Sequence, residues 1–305
     1  MLKRSGVARY VPNVPTLARF AKTVVGLVVV ALIAAACDPN PEPEAACTVG
    51  ANGGNPVIIV GGTFSPGFAN EAFLGNSIEA AGFTHCIFEL KGDDDIGNLP
   101  GTMPIEVSGF ALKLFIEDVL AWSGADQVDL VGHSQGALAA RAAVALYGAE
   151  DNVDKLISLA GPNTGTDAAA LVELLAGPVL APFGVECEDV APCHQMQQES
   201  DFITMLNAGG LTPGDVDYYA FTTDNDELVW YWGTGPLGIP VIRHDNAELG
   251  PGATNLDVDD MCLIRVVGHL GMIVDPVPIH MVIDALNGDP IDVPLVTCLL
   301  PPVVI

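Results

Sequence analysis

Basic residues are scarce in this chain. Only 11 Lys and Arg stand against 38 Asp and Glu in 305 residues. Five of the eleven (Lys3, Arg4, Arg9, Arg19 and Lys22) precede residue 23, where no acid occurs, so the remainder carries 6 basic residues against 38 acidic ones. Such a surface repels phosphate backbones and anionic headgroups, which excludes nucleic acid as a partner. Long apolar runs are missing too. The longest, Val24 to Ala36, has 13 residues, short of the ~20 that span a bilayer. No CxxC spacing and no His/Cys cluster occur, so neither zinc nor any other metal or cofactor is expected. No internal repeat appears, which excludes a solenoid.

What is present begins with that apolar run. It follows a basic stretch and ends in Ala34, Ala35 and Ala36 before Cys37, the layout of a signal peptide. The Ala-rich end with its cysteine resembles a bacterial lipobox, in which the cysteine is lipidated and anchors the protein to a membrane. It departs at Ala34, where Leu is usual. Ordinary cleavage near Ala36 with a released product is the alternative. Both routes predict export, to the bacterial cell envelope or the medium. DPNPEPEAA, residues 38–46, reads as a Pro/Glu tether. Seven cysteines fit export with one set aside. With Cys37 lipidated, Cys47, Cys86, Cys187, Cys193, Cys262 and Cys298 remain, and pairing in sequence order is the simplest of their possible connectivities.

From Cys47 onward, apolar runs alternate with amphipathic stretches. Strands are expected at 56–60, 85–90, 127–133, 155–161, 216–223 and 261–268, and helices at 70–82, 105–124, 137–148 and 277–288. The alternation predicts an α/β fold, a mostly parallel sheet covered on both faces. Residues 167–212, rich in Gly, Pro and Ala, break the rhythm as a cap over a site or as a plain helical excursion.

The chemistry centres on GHSQG, 132–136. Alone, G-x-S-x-G is a weak signal. Here the strand VDLV runs into it and an alanine-rich helix leaves it, which is the strand–turn–helix of a nucleophile elbow. Ser134 needs a base, and the base needs a carboxylate, in chain order Ser, Asp, His. His85, His133 and His194 are misplaced for that order. His269, in VVGHLGM, follows the last strand run and is the first choice, with His244 in reserve and His280 inside a helix. Asp224, Asp226 and Glu227 all follow the preceding strand, and spacing does not choose among them. An oxyanion hole would draw on the N–H of Gln135 and of Thr63 in GGTF, 61–64. The Thr63 hydroxyl is a third possible donor.

These stretches, with VDKLISLAGPNTGT (153–166), TTDNDELV (222–229) and GHLGMIVDP (268–276), resemble the secreted bacterial class 2 lipases of the α/β-hydrolase superfamily, with a fainter likeness to fungal lipase B. The resemblance runs over about residues 56–288. It implies an α/β-hydrolase fold with catalytic Ser134, Asp226 and His269, and a lipid or other carboxylic ester as substrate. It also supports the Cys47–Cys86 and Cys262–Cys298 pairings. Relatives usually carry His-Gly before the oxyanion threonine, and this chain has Gly61-Gly62. Polyester depolymerisation or acyl transfer would use the same triad. A rival of another class is a cell-surface binding protein on a hydrolase fold. Two aspartate clusters, 93–95 and 257–260, read as solvated turns rather than calcium loops. Trp230 and Trp232 line an acyl groove or are ordinary packing.

Overall fold

Four consecutive β-branched residues, Val57–Val60, are all buried, as in a strand covered on both faces. This is β2. The computed structural model describes residues 42–167, 184, 186–263 and 265–300. The segment expected to be a signal peptide with Cys37, residues 38–41 of the expected tether, and residues 168–183 and 185 of the stretch expected to be a cap or a helical excursion lie outside them.

Seven strands form the main sheet, in order β1-β3-β2-β4-β5-β6-β9. They are β1 (Cys47–Thr48), β2, β3 (His85–Phe88), β4 (Val128–His133), β5 (Val153–Leu159), β6 (Asp217–Thr222) and β9 (Ala253–Asp257). All pair in parallel except β1, which runs antiparallel to β3 with Cys47 opposite Cys86. A separate ribbon pairs β7 (Tyr231–Thr234) with β8 (Pro240–Arg243).

Alternation along each strand divides the core in two. Ile58, Val60, Val128 and Leu130 join one cluster with Leu112, Phe115 and Leu138. Val57, Ile59, Val131 and Ile157 join another with Ile78, Val277 and Met281. Helices therefore cover both faces. On the first lie α2 (Ile105–Ser123) and α3 (Gln135–Tyr147). On the second lie the helical run α1 (67–80), which winds as a π-turn over Glu71–Gly75, and α5 (Pro276–Asn287). Asp275 caps α5 by accepting from the Val277 N–H, with Pro276 at its first position. Among the described residues no helix is long and apolar enough to cross a membrane.

One expected strand is not there. Residues 262–263 and 265–268 are irregular after a short helix, Val258–Met261. Their apolar side chains do not fill a sheet: Leu263 is 90% exposed and Val266 75%. The edge strand is instead ATNLD, β9, whose mixed composition gives no continuous apolar signal. The described part of residues 186–212 contains short helices, Ala191–Gln195 and α4 (Asp201–Leu206). Buried Arg141 ties this region to α3 by donating to Asn163 O at 3.0 Å and to Asn207 Oδ1 at 2.7 Å. The cysteines join as 47–86, 187–193 and 262–298.

Candidate active site

All candidate groups lie just beyond the carboxyl ends of parallel strands, where open α/β sheets place their sites. Ser134 follows β4 directly. Its backbone stands at φ 56, ψ −126, a strained conformation for a residue with a side chain. The strain is held from both sides: its N–H donates to Leu159 O at 3.0 Å, and its own carbonyl accepts from Ala137 N at 3.0 Å. The flanking glycines follow from close approach. A Cβ on Gly132 would lie 2.6 Å from Ala137 Cα, and one on Gly136 would run into the Val60 carbonyl oxygen. The chain can turn this sharply from strand to helix only without those side chains.

The acid and the histidine arrive on two neighbouring loops. Buried Thr223, at the end of β6, donates to Val267 O at 2.6 Å, which ties the loops together. Asp226 lies in the turn beyond. Its Oδ1 accepts from the backbone N–H of Leu228 and Val229 at 2.8 and 2.7 Å, so the carboxylate is fixed by the turn it begins. His269 opens a 3-10 turn, His269–Ile273. Its Nδ1 lies 2.9 and 3.0 Å from the two Asp226 oxygens, with both side chains buried. Glu227 turns to the backbone instead and accepts from His269 N at 3.0 Å. Asp224 is exposed and its N–H is held by Asp259. Of the three acids, Asp226 is the one at the imidazole.

His133, inside the elbow motif, also belongs to this assembly. Its Nε2 lies 3.1 Å from His269 O, and the two rings are 4.7 Å apart. Burial, together with the neighbouring His269, pushes its pKa down to about 3. It is therefore neutral, and its Nε2–H donates to that carbonyl. The other histidines stay apart: His244 Nδ1 bonds Val229 O at 3.0 Å, and His280 faces Asp284 on α5 at 3.7 Å.

Gly62 packs so tightly on the elbow that a Cβ there would lie 3.0 Å from Ser134 Cβ. This brings the Thr63 backbone to the serine. The Thr63 hydroxyl donates to Gln135 Oε1 at 2.5 Å. It is thus engaged with Gln135. The Phe64 N–H is engaged by Pro100 O at 2.8 Å.

A cavity of about 450 Å³ opens beside these groups. Ser134, His269, Gly62 and Thr63 line it, with Phe64, Met196, Leu228, Val229 and Ile273 as apolar wall. The volume lies in the range of small-molecule sites. Trp230 and Trp232 are not among the described residues that line it, and their rings meet edge to face at 5.7 Å. The aspartate clusters are occupied with turns. Asp93 accepts from Asp95 N, Asp257 from Asp259 N, and Asp259 from Asp224 N and Asn225 Nδ2. Among the described residues, no group of three His, Cys, Asp or Glu is placed to hold a metal ion.

The histidine loop has a buried anchor not foreseen from sequence. Arg265 Nη2 meets Asp275 Oδ2 at 2.6 Å, both nearly inaccessible, and the same guanidinium donates to Leu300 O beside the Cys262–Cys298 bridge. Isolated Arg and Asp ten residues apart give no sequence signal. The supporting roles of Glu227 and His133 were equally invisible, because both act through backbone atoms.

A palmitoyl protein thioesterase family model matches residues 90–207. That stretch holds the elbow and not Asp226 or His269. No curated protein matches the chain. Among solved structures, lipase B of Aspergillus fumigatus superposes with a TM-score of 0.60 at 22% identity, over 85% of this chain and 61% of that one. The chain thus spans about three fifths of that enzyme's length. A mature lipase of Bacillus licheniformis gives 0.48 at 18% identity, over 72% of this chain and 86% of that one. A hydrolase of Oleispira antarctica gives 0.49 at 14%, over 80% and 94%. Topology, elbow and the lipase B superposition agree: the chain has the α/β-hydrolase fold.

Proposed function

We propose that this chain is an exported serine hydrolase of carboxylic esters, of the lipase and esterase kind. The observation that carries the reading is the shared cavity: Ser134 and His269 line one apolar pocket, with Asp226 buried behind the imidazole. Asp226 holds the Nδ1–H tautomer and steadies the positive charge that forms on the ring. His269 Nε2 takes the Ser134 proton as Oγ attacks the ester carbonyl. The backbone N–H groups of Thr63 and Gln135 hold the oxyanion. The alcohol leaves with the proton from His269, and water then releases the acyl group by the same steps. None of these steps calls for a cofactor.

Three disulfides favour an oxidising compartment. With the signal-like leader they support export, and lipidation at Cys37 is the proposed anchor. Within the superfamily, we place the chain with the secreted bacterial class 2 lipases on its GGTF, GHSQG, DELV and GHLG stretches.

The partial match to palmitoyl protein thioesterases favours a second reading, hydrolysis of acyl thioesters by the same groups. Turnover of p-nitrophenyl esters from butyrate to palmitate, beside a palmitoyl thioester, separates the two. An ester hydrolase turns over the oxygen esters and loses that activity in Ser134→Ala. Turnover of the thioester alone would favour the second reading, and a folded protein inert on both would overturn the assignment.

A further inference from the structure

The β7–β8 ribbon turns its apolar side chains outward. Its register pairs Trp232 with Ile242 and Thr234 with Pro240, and pairs two residues apart share a face. That face is the one in water: Trp232 is 58% exposed and Ile242 53%. At the turn Ile239 is 58% exposed and Leu237 98%. Leu237 also stands at φ 62, a left-handed conformation that glycine or asparagine adopts at less cost. An apolar side chain is thus held in solvent at a backbone angle that disfavours it. Neither packing nor turn chemistry asks for leucine there.

Charge points the same way. Residues 228–242 contain no Asp, Glu, Lys or Arg, in a chain with 38 acids. Arg243, at the ribbon's foot, is paired with Asp245. The segment also begins at the cavity, whose wall includes Leu228 and Val229. Leu270, next to His269, lines the same cavity and is 55% exposed.

Resting on the ester-hydrolase reading, we propose that the 228–242 hairpin inserts into the surface of a lipid ester aggregate and brings the cavity mouth onto it. A few apolar side chains give reversible interfacial binding rather than a permanent anchor. A stable dimer buries ~20–30 residues a side, more than this ribbon offers. A hairpin without charge of its own, flanked by the Asp167 carboxylate on Trp232 N and by Asp245 and Asp257 in the pocket beside Ile242, suits a neutral or zwitterionic surface better than an anionic one.

The test uses the full chain carrying Ser134→Ala, with and without Leu237→Asp and Ile239→Asp, on brominated phosphatidylcholine vesicles. Two of the three tryptophans, Trp230 and Trp232, lie in the hairpin, so bromine quenching reads its insertion even if another segment also binds. Quenching is expected, and it should fall by about fivefold or more in the aspartate variant. No quenching, or equal quenching in both, overturns the proposal. With Ser134 restored, the aspartate variant should lose about tenfold or more on a tributyrin emulsion and stay within about twofold on dissolved p-nitrophenyl acetate. Equal losses on both substrates overturn it, as does self-association in solution that the aspartates abolish. If the native enzyme is inert on both substrates while hairpin-dependent quenching persists, the ester reading fails and the docking surface stands.

Discussion

His133 Nε2 lies 3.1 Å from the backbone oxygen of His269. The residue before the elbow serine therefore fastens the loop that brings the histidine to it. Because burial pushes His133 from 6.5 to about 3, the folded protein excludes a proton that the unfolded chain binds below pH 6.5. Stability from this site is complete above 6.5 and is lost as the pH falls towards 3, by about 1.4 kcal/mol per unit. In urea unfolding from pH 7.5 to 4.5, His133→Asn should flatten this acid loss, so that wild type and variant converge as the pH drops. Parallel slopes would contradict the burial of a neutral imidazole.

The neighbouring acids should separate sharply. Asp226→Asn would hold the His269 imidazole in the wrong tautomer and should lower kcat by about 10⁴-fold. Glu227→Gln weakens only a bond to the His269 backbone, and a loss within about tenfold is expected. Asp224→Asn should change little. Steady-state kinetics on a soluble ester checks all three, and a collapse in Asp224→Asn with Asp226→Asn active would reverse the assignment.

The elbow glycines should tolerate no side chain. Gly136→Ala drives a methyl into the Val60 carbonyl and Gly132→Ala drives one into Ala137. Each should destabilise by about 1–3 kcal/mol or more through forced backbone movement. Thermal unfolding measures this, with Gly209→Ala as control, where a Cβ meets nothing within 4 Å.

The Arg265–Asp275 pair is buried at both ends, with side-chain exposures of 5% each. Arg265→Met leaves a buried carboxylate uncompensated and should cost about 3–5 kcal/mol. The double variant Arg265→Met, Asp275→Leu removes both charges and should recover much of that. Equal destabilisation of single and double variants would show that the guanidinium's bonds to the Cys298 and Leu300 carbonyls, together with the Asp275 cap of α5, outweigh the ion pair.

Most of the sheet was legible because its central strands are buried on both faces and read as apolar runs. Strand β9 was not. ATNLD is an amphipathic edge, while MCLIRVVG, more apolar, is spent on a disulfide, an ion pair and exposed side chains. The ribbon β7–β8 was missed for a related reason. Its outward apolar face removes the inside–outside contrast on which periodicity depends. Within the site, the elbow showed itself through glycines that the close strand–helix approach requires. Spacing alone left Asp224, Asp226 and Glu227 open, since a loop's curvature is not written in its composition. Resemblance chose Asp226, and the structure places that residue 2.9 Å from His269 Nδ1.

The most direct test of the central claim is covalent labelling. Native protein and Ser134→Ala are treated with a fluorophosphonate, and the adduct is located by mass spectrometry of peptides. One stoichiometric adduct is expected, on Ser134, absent from the variant and blocked by prior incubation with an ester substrate. A folded protein that takes no label, or takes it at another residue, would contradict Ser134 as the nucleophile.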